Sequence, residues 1–406
     1  MISNKNLIHF FEKNNYDLRI SNNGRWIDQK CTPDVVCIVS DCILNYLYEN
    51  EDDIVFSVTD IWKCDYTKEN VEEIFSKPGT DHEKSVNEYD KFFSQPIELL
   101  ASSNVLKKEK KGNRNFYTVN DLDMLQYISW KEKNTVEFLF IYIKKVLKDS
   151  KIWDSFSNFF EVQTQEAYLN LKEKFENYII ENTNINKPLE VRRIFSKVIN
   201  PLAYKFKKLG TSRGRISKNI ITYSSLMYNQ ENFRDLVSNK PKNITRKEWI
   251  EQKGYQINIQ FYRYQSEKAK KQLKKHNISY RNGTSEVSDA YSQGEATQVH
   301  HIFPQHSHPE ISGYVENLIC LTPTQHLYKA HPNNNTQIID YEYQEVLLKA
   351  KANIIQKDIE HLGDISIYEF SNVREVINKG FNENHEIENN DFVGIMNIIT
   401  LHYLDN

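Results

Sequence analysis

The sequence predicts an α+β fold that is mainly helical, on three observations. Apolar residues recur at helical spacing over much of the chain. Two strand-like arms flank Gly112-Asn113. Two short apolar runs, Ala296 to Phe303 and Leu318 to Leu321, stand just before a helix-start signal.

In chain order, the first clear helix is Pro33 to Tyr48, where Val36, Val39, Ile43, Tyr46 and Leu47 fall at helical spacing. Further helices are predicted over Val58 to Trp62, Thr67 to Phe75 and Tyr89 to Ala101. Val105 to Val119 then reads as a hairpin with a basic tip, carrying Lys107, Lys108, Lys110, Lys111 and Arg114. Helices followed by a charged hairpin suggest a winged-helix-like DNA-recognition region over residues 1–130, with a helix for the major groove and a wing for the backbone. A winged helix that binds protein is the alternative. Residues 131–255 read as a helical, basic linking region with Val136 to Ile143 in its core. Near the C-terminus, Tyr341 to Ile359 is predicted as an amphipathic helix within a helical extension over 341–406, and residues 382–391 as an acidic surface segment.

Composition narrows the class. The 406 residues suffice for two or three cores. Five cysteines, at 31, 37, 42, 64 and 320, have no metal or disulfide spacing, so reduced thiols in a cytoplasm are expected. The start, Met1-Ile-Ser-Asn-Lys, shows no signal peptide, and the most apolar stretch, Val136 to Leu147, is interrupted by two lysines, so no membrane partner is expected. The net charge of −3 conceals an asymmetry: Lys187 to Arg281 holds 23 Lys or Arg against 6 Asp or Glu. A polyanion suits that block, because each neutralised phosphate releases counterions. Double-stranded DNA is the expected partner. Arg213, Arg215 and Lys218, around Gly210 and Gly214, are its candidate phosphate contacts, whereas Lys268 to Lys275 alone reads as a solvated helix face.

The densest chemistry lies in Gln298-Val-His-His-Ile-Phe-Pro and Glu316-Asn-Leu-Ile-Cys-Leu-Thr-Pro-Thr-Gln-His326. Pro304 stops the first strand just after its histidines. Neighbours on a strand face opposite ways, so His300 and His301 suit different jobs rather than one ion. Thr322 is a good N-cap, Pro323 fits the first helical position, and Gln325 completes a capping box. That start puts His326 in the first turn, where it can meet one strand histidine on a divalent cation. Asn317, before the second strand, can tie down the loop backbone. Taken singly, His306, His308 and His331 read as surface or packed residues.

This segment resembles the HNH nucleases, whose ββα-metal fold carries a pattern close to H-H-(loop)-N-L-x-x-L-x-x-x-x-H. The resemblance implies an HNH nuclease domain over 256–340. In it His300 and His326 are metal ligands, His301 is the general base that activates water, and Asn317 is the catalytic loop-orienting residue. It also implies a divalent metal, Mg²⁺, for which Mn²⁺, Co²⁺ or Ni²⁺ can substitute because imidazoles are softer than carboxylates. Products with 5′-phosphate and 3′-hydroxyl ends follow. The wider wording, with Phe303-Pro304, Pro309-Glu310-Ile311, Glu316 to Ile319 and Ala330-His331-Pro332, is similar to the HNH subset of bacterial type II restriction endonucleases, as is Trp26 to Asp34. That similarity implies a cytoplasmic bacterial enzyme paired with a separate DNA methyltransferase, and it is compatible with a homodimer. The chain departs from many HNH proteins in having no CxxC knuckle.

Other readings stay open: a modification-dependent or homing-type HNH endonuclease, a DNA-binding protein whose motif is vestigial, or structural zinc, which needs four N or S ligands. A PD-(D/E)xK nuclease is set aside, since no D/E-x-K follows Pro33-Asp34 within forty residues. There is no P-loop and no N-P-P-Y-type methyltransferase motif.

Overall fold

The computed structural model describes residues 2, 4–50, 55–75, 86–228, 246–330 and 340–404. His331 and Pro332 of the motif wording, and residues 229–245 of the basic block, lie outside them. The described chain is mainly helical with three two-stranded sheets, and it divides into two compact units, Ile2–Ile250 and Glu251–Asn406. The first holds the segments read as recognition and linking regions, the second the nuclease and extension segments. Among the described residues no helix is long and apolar enough to cross a membrane.

The first unit begins with α1 (Asn4–Glu12), α2 (Leu18–Ser21) and α3 (Pro33–Glu49). Pro33 sits in the first turn of α3, where its missing N–H costs nothing, and the helix buries Val35, Val36, Val39 and Ile43. Next come α4 (Val58–Lys63), α5 (Asp65–Phe75) and α6 (Val86–Ser102). Ser57 and Asp60 form a capping box that starts α4. β1 (Leu106–Lys111) and β2 (Arg114–Val119) then pair antiparallel, Lys111 opposite Arg114. Gly112 takes φ +61°, the left-handed turn conformation that a side chain disfavours. Phe56 forms an isolated antiparallel bridge to Tyr117 beside the hairpin.

α7 (Leu122–Trp130), α8 (Glu132–Asp149), α9 (Trp153–Val162), α10 (Gln165–Asn182) and α11 (Pro188–Phe206) complete the unit's helices. Asp121 caps α7 by accepting from the Met124 amide at 2.8 Å. α8 lies against α1, α3 and α7, and its core face, Val136, Phe138, Leu139, Tyr142 and Ile143, is buried. Tyr142 there meets Phe11, Tyr16 and Trp26 at 5.5–5.7 Å between ring centroids. β3 (Thr211–Ser212) and β4 (Arg215–Ile216) make a short second hairpin.

The second unit opens within α12 (Arg246–Arg281) and continues through β5 (Gln298–His301), β6 (Leu318–Leu321) and α13 (Pro323–Gln325), which passes into a π-type turn over His326–Ala330. α14 (Tyr341–Leu362), α15 (Phe370–Gly380) and α16 (Phe392–Leu404) follow. β5 is shorter than the Ala296 to Phe303 run predicted. The Ile302 and Phe303 amides turn away to donate to Asn317, to its carbonyl and to Oδ1, both at 2.9 Å. All four residues of β6 are buried, so no alternation survives there. Beside β6, Glu286 is fully buried; its amide donates to Cys320 O at 2.9 Å and its carboxylate accepts from Cys320 N at 2.6 Å. Lys351 of α14 closes on Glu286 at 3.1 Å and donates to Tyr368 Oη at 3.0 Å. Residues 382–391 are mostly exposed, as expected of a surface segment.

Candidate active site

β5 and β6 pair antiparallel with His300 opposite Ile319 and His301 opposite Leu318. The pleat sends the two histidines to different environments. His300 is 3% exposed and its ring stands 5.3 Å from that of His326, edge to face at 79°. The capping box fixes the second ring: Thr322 Oγ1 accepts from the Gln325 amide at 3.2 Å, and Gln325 Oε1 accepts from the Thr322 amide at 3.1 Å. Gln325 Nε2 also donates to Val287 O at 3.0 Å, which locks the first helical turn against the preceding loop. His326 follows directly on this fixed turn.

The separation of the two rings is the one a shared cation would need. A nitrogen–metal bond of about 2.1 Å puts an ion about 3.2 Å from each ring centroid, so two tetrahedral ligands have centroids about 5.2 Å apart. Among the described residues no group of three or more His, Cys, Asp or Glu is placed to hold a metal. Two imidazoles alone would leave positions for water and phosphate oxygens, the donor set of an open site rather than a closed structural one. Cys320, the nearby thiol of the zinc alternative, has its pKa pushed up to about 12 by burial and the Glu286 charge.

His301 lies on the other face. Its Nε2 is 3.0 Å from Ser266 Oγ and 3.1 Å from the Ser312 carbonyl oxygen. Burial, with the Lys270 charge nearby, lowers its pKa to about 4, so the ring is neutral at neutral pH and has a lone pair to offer. Asn317 is fully buried and bridges the loop: Oδ1 accepts from Phe303 N at 2.9 Å, while Nδ2 donates to Phe303 O at 3.0 Å and Ile311 O at 3.3 Å. One amide thus closes the turn that leaves β5.

The basic candidates lie in the first unit. Lys107, Lys108, Lys110, Lys111 and Arg114 are all exposed on the first hairpin, where Lys108 pairs with Glu98 at 2.6 Å. Arg213, Arg215 and Lys218 are exposed on and beside the second hairpin. Sequence reasoning missed Lys172, whose Nζ donates to Gly214 O at 2.9 Å and brings a further cation to that tip. It also missed Ser266, Ser312 and Lys270 around His301. Ser266 and Lys270 come from α12, just before and within the Lys268 to Lys275 run, and a basic run of this kind carries no local mark of what its helix will face.

No family model matches this chain, and the comparisons find no similar curated protein and no similar solved structure.

Proposed function

We propose that this chain is a metal-dependent endonuclease that hydrolyses phosphodiester bonds of double-stranded DNA, acting as a type II restriction enzyme with an HNH site in its second unit. One observation carries the reading. A strand pair and a capped helical turn bring His300 to His326, while Asn317 closes the intervening loop and His301 sits held on the opposite face. That arrangement supports the order of roles implied by the H-H, N and H pattern.

His300 and His326 would hold a divalent ion, Mg²⁺ in the expected case. When bound, the ion supplies positive charge for the pentacoordinate phosphorus and the departing 3′ oxygen. His301, neutral because it is buried, takes the proton of the attacking water. Asn317 keeps β5 and its loop in register, so that the base and the ligands stay a fixed distance apart. The sequence of target reading is assigned to the first unit, where α3, the Phe56 bridge, α4, α5, α6 and the β1–β2 hairpin follow the order of a winged helix. A separate DNA methyltransferase would protect the host genome. Incubation of the purified protein with genomic DNA and Mg²⁺ tests the whole reading: discrete bands support restriction, a smear a nonspecific nuclease, and intact DNA with every divalent metal rejects cleavage.

Two narrower results are expected. Isothermal titration of Mn²⁺ should show weaker binding in both His300→Ala and His326→Ala than in the parent, and EDTA should stop cleavage; unchanged affinity in both variants removes them as ligands. Neutralising Arg213, Arg215 and Lys218 together should weaken specific and nonspecific DNA binding alike and lower the slope of log K against log salt by about 2 to 3, since each phosphate contact contributes about 0.9. A slope unchanged across a salt series would place the backbone contacts elsewhere.

A further inference from the structure

α12 carries Ser266, whose side chain is fully buried and meets a histidine 35 positions later in the chain. Two oxygens converge on the same His301 nitrogen: Ser266 Oγ at 3.0 Å and the Ser312 carbonyl at 3.1 Å. A carbonyl oxygen only accepts, so in this arrangement Nε2 carries the ring proton and Nδ1 keeps the lone pair. Ser266 Oγ then accepts the second branch of the same N–H. The approach of the helix is itself fixed. A Cβ at Gly313 would stand 2.7 Å from Gln265 Cβ and 3.4 Å from the Gln265 carbonyl carbon, so α12 can lie this close to the loop only over a glycine. Ser312 is anchored in turn, its Oγ donating to Pro309 O at 2.7 Å.

We infer that Ser266 is a positioning residue for His301, holding the imidazole in its Nε2–H tautomer so that Nδ1 is the atom that accepts the proton from water. The inference rests on the nuclease reading for what His301 does, and on α12 alone for how the ring is held. A neutral imidazole has two tautomers, and the wrong one points a proton where the lone pair is needed. The carbonyl of Ser312 and Ser266 Oγ together hold the right one: each accepts a branch of the Nε2–H, so that without Ser266 the carbonyl alone holds the proton less firmly and the ring is free to turn about its Cβ–Cγ bond.

The test uses the full chain, labelled with ¹⁵N-histidine, with His301→Gln to identify the ring signals. Wild type should show a protonated Nε2 and a bare Nδ1 at His301, and Ser266→Ala a mixture of tautomers. In cleavage of plasmid DNA, Ser266→Ala should lower kcat about tenfold, the worth of one neutral hydrogen bond. KM for DNA and the Mg²⁺ concentration at half-maximal rate should stay unchanged, and Ser266→Thr, which keeps the hydroxyl, should recover most of the rate. Thermal unfolding of each variant separates this from lost folded protein. A bare Nε2 in wild type overturns the proposal, as does Ser266→Ala with wild-type kcat or with a loss no larger than its unfolded fraction. Should wild type cut no DNA with any divalent metal, the nuclease reading falls while the tautomer comparison still decides the role of Ser266.

Discussion

Replacing His301 with Ala should reduce DNA cleavage by about two to four orders of magnitude, the usual worth of a positioned general base. DNA affinity should hardly change, because His301 is mostly enclosed by Ser266 and the Ser312 carbonyl and presents little to a phosphate. Folding should survive as well, since the Asn317 bridge and the β5–β6 ladder do not use the ring. Single-turnover cleavage with enzyme in excess, run beside a binding titration, separates the two quantities. An active His301→Ala protein would remove His301 as the base. A variant that is inactive only because it no longer binds DNA would do the same.

The second large effect is on stability. Lys351 is 2% exposed and Glu286 fully buried, and together they hold the outer edge of β6 at Cys320. Removing the ammonium group leaves a carboxylate buried without its counter-charge, a loss of about 3 to 5 kcal/mol for pairs of this kind. Lys351→Met keeps most of the side-chain volume, so its cost reports the charge rather than a cavity. Adding Glu286→Gln to it should restore part of the loss by removing the stranded charge. Urea unfolding of the three proteins gives the comparison, and a loss under about 1 kcal/mol in Lys351→Met would mean that water reaches the pair and screens it.

What could be read from the sequence was local. The turn at Gly112-Asn113, the Thr322 to Gln325 capping box and the boundaries of β6 each depend on residues within a few positions of one another, and each appears where expected. The helices of the first unit likewise follow their apolar spacing and caps. What could not be read was tertiary. β5 ends early because Asn317, sixteen residues beyond His301, captures the backbone of Ile302 and Phe303. The apolar run over Leu318 to Leu321 marks a buried strand but not that both of its faces are covered, as they are in β6. Ser266 lies two residues before the Lys268 to Lys275 run that reads as a solvated face, and only packing reveals that one side of α12 turns toward His301. The π-type turn from His326 onward has no physical account in the residues that form it.

The Glu286–Lys351–Tyr368 clamp also sets an order of events during synthesis. Its members lie 65 and 17 positions apart, and the last of them is made well after β5, β6 and His326. Chains emerge from the ribosome N-terminus first, and units consolidate as they are completed. A chain that has reached His326 but not Lys351 therefore lacks both the lysine and the hydroxyl that steady Glu286, and with it the edge of β6. A growing polypeptide would leave the ribosome with its first unit already made while the edge of β6, and the His300–His326 pair beside it, still waits for residues made later.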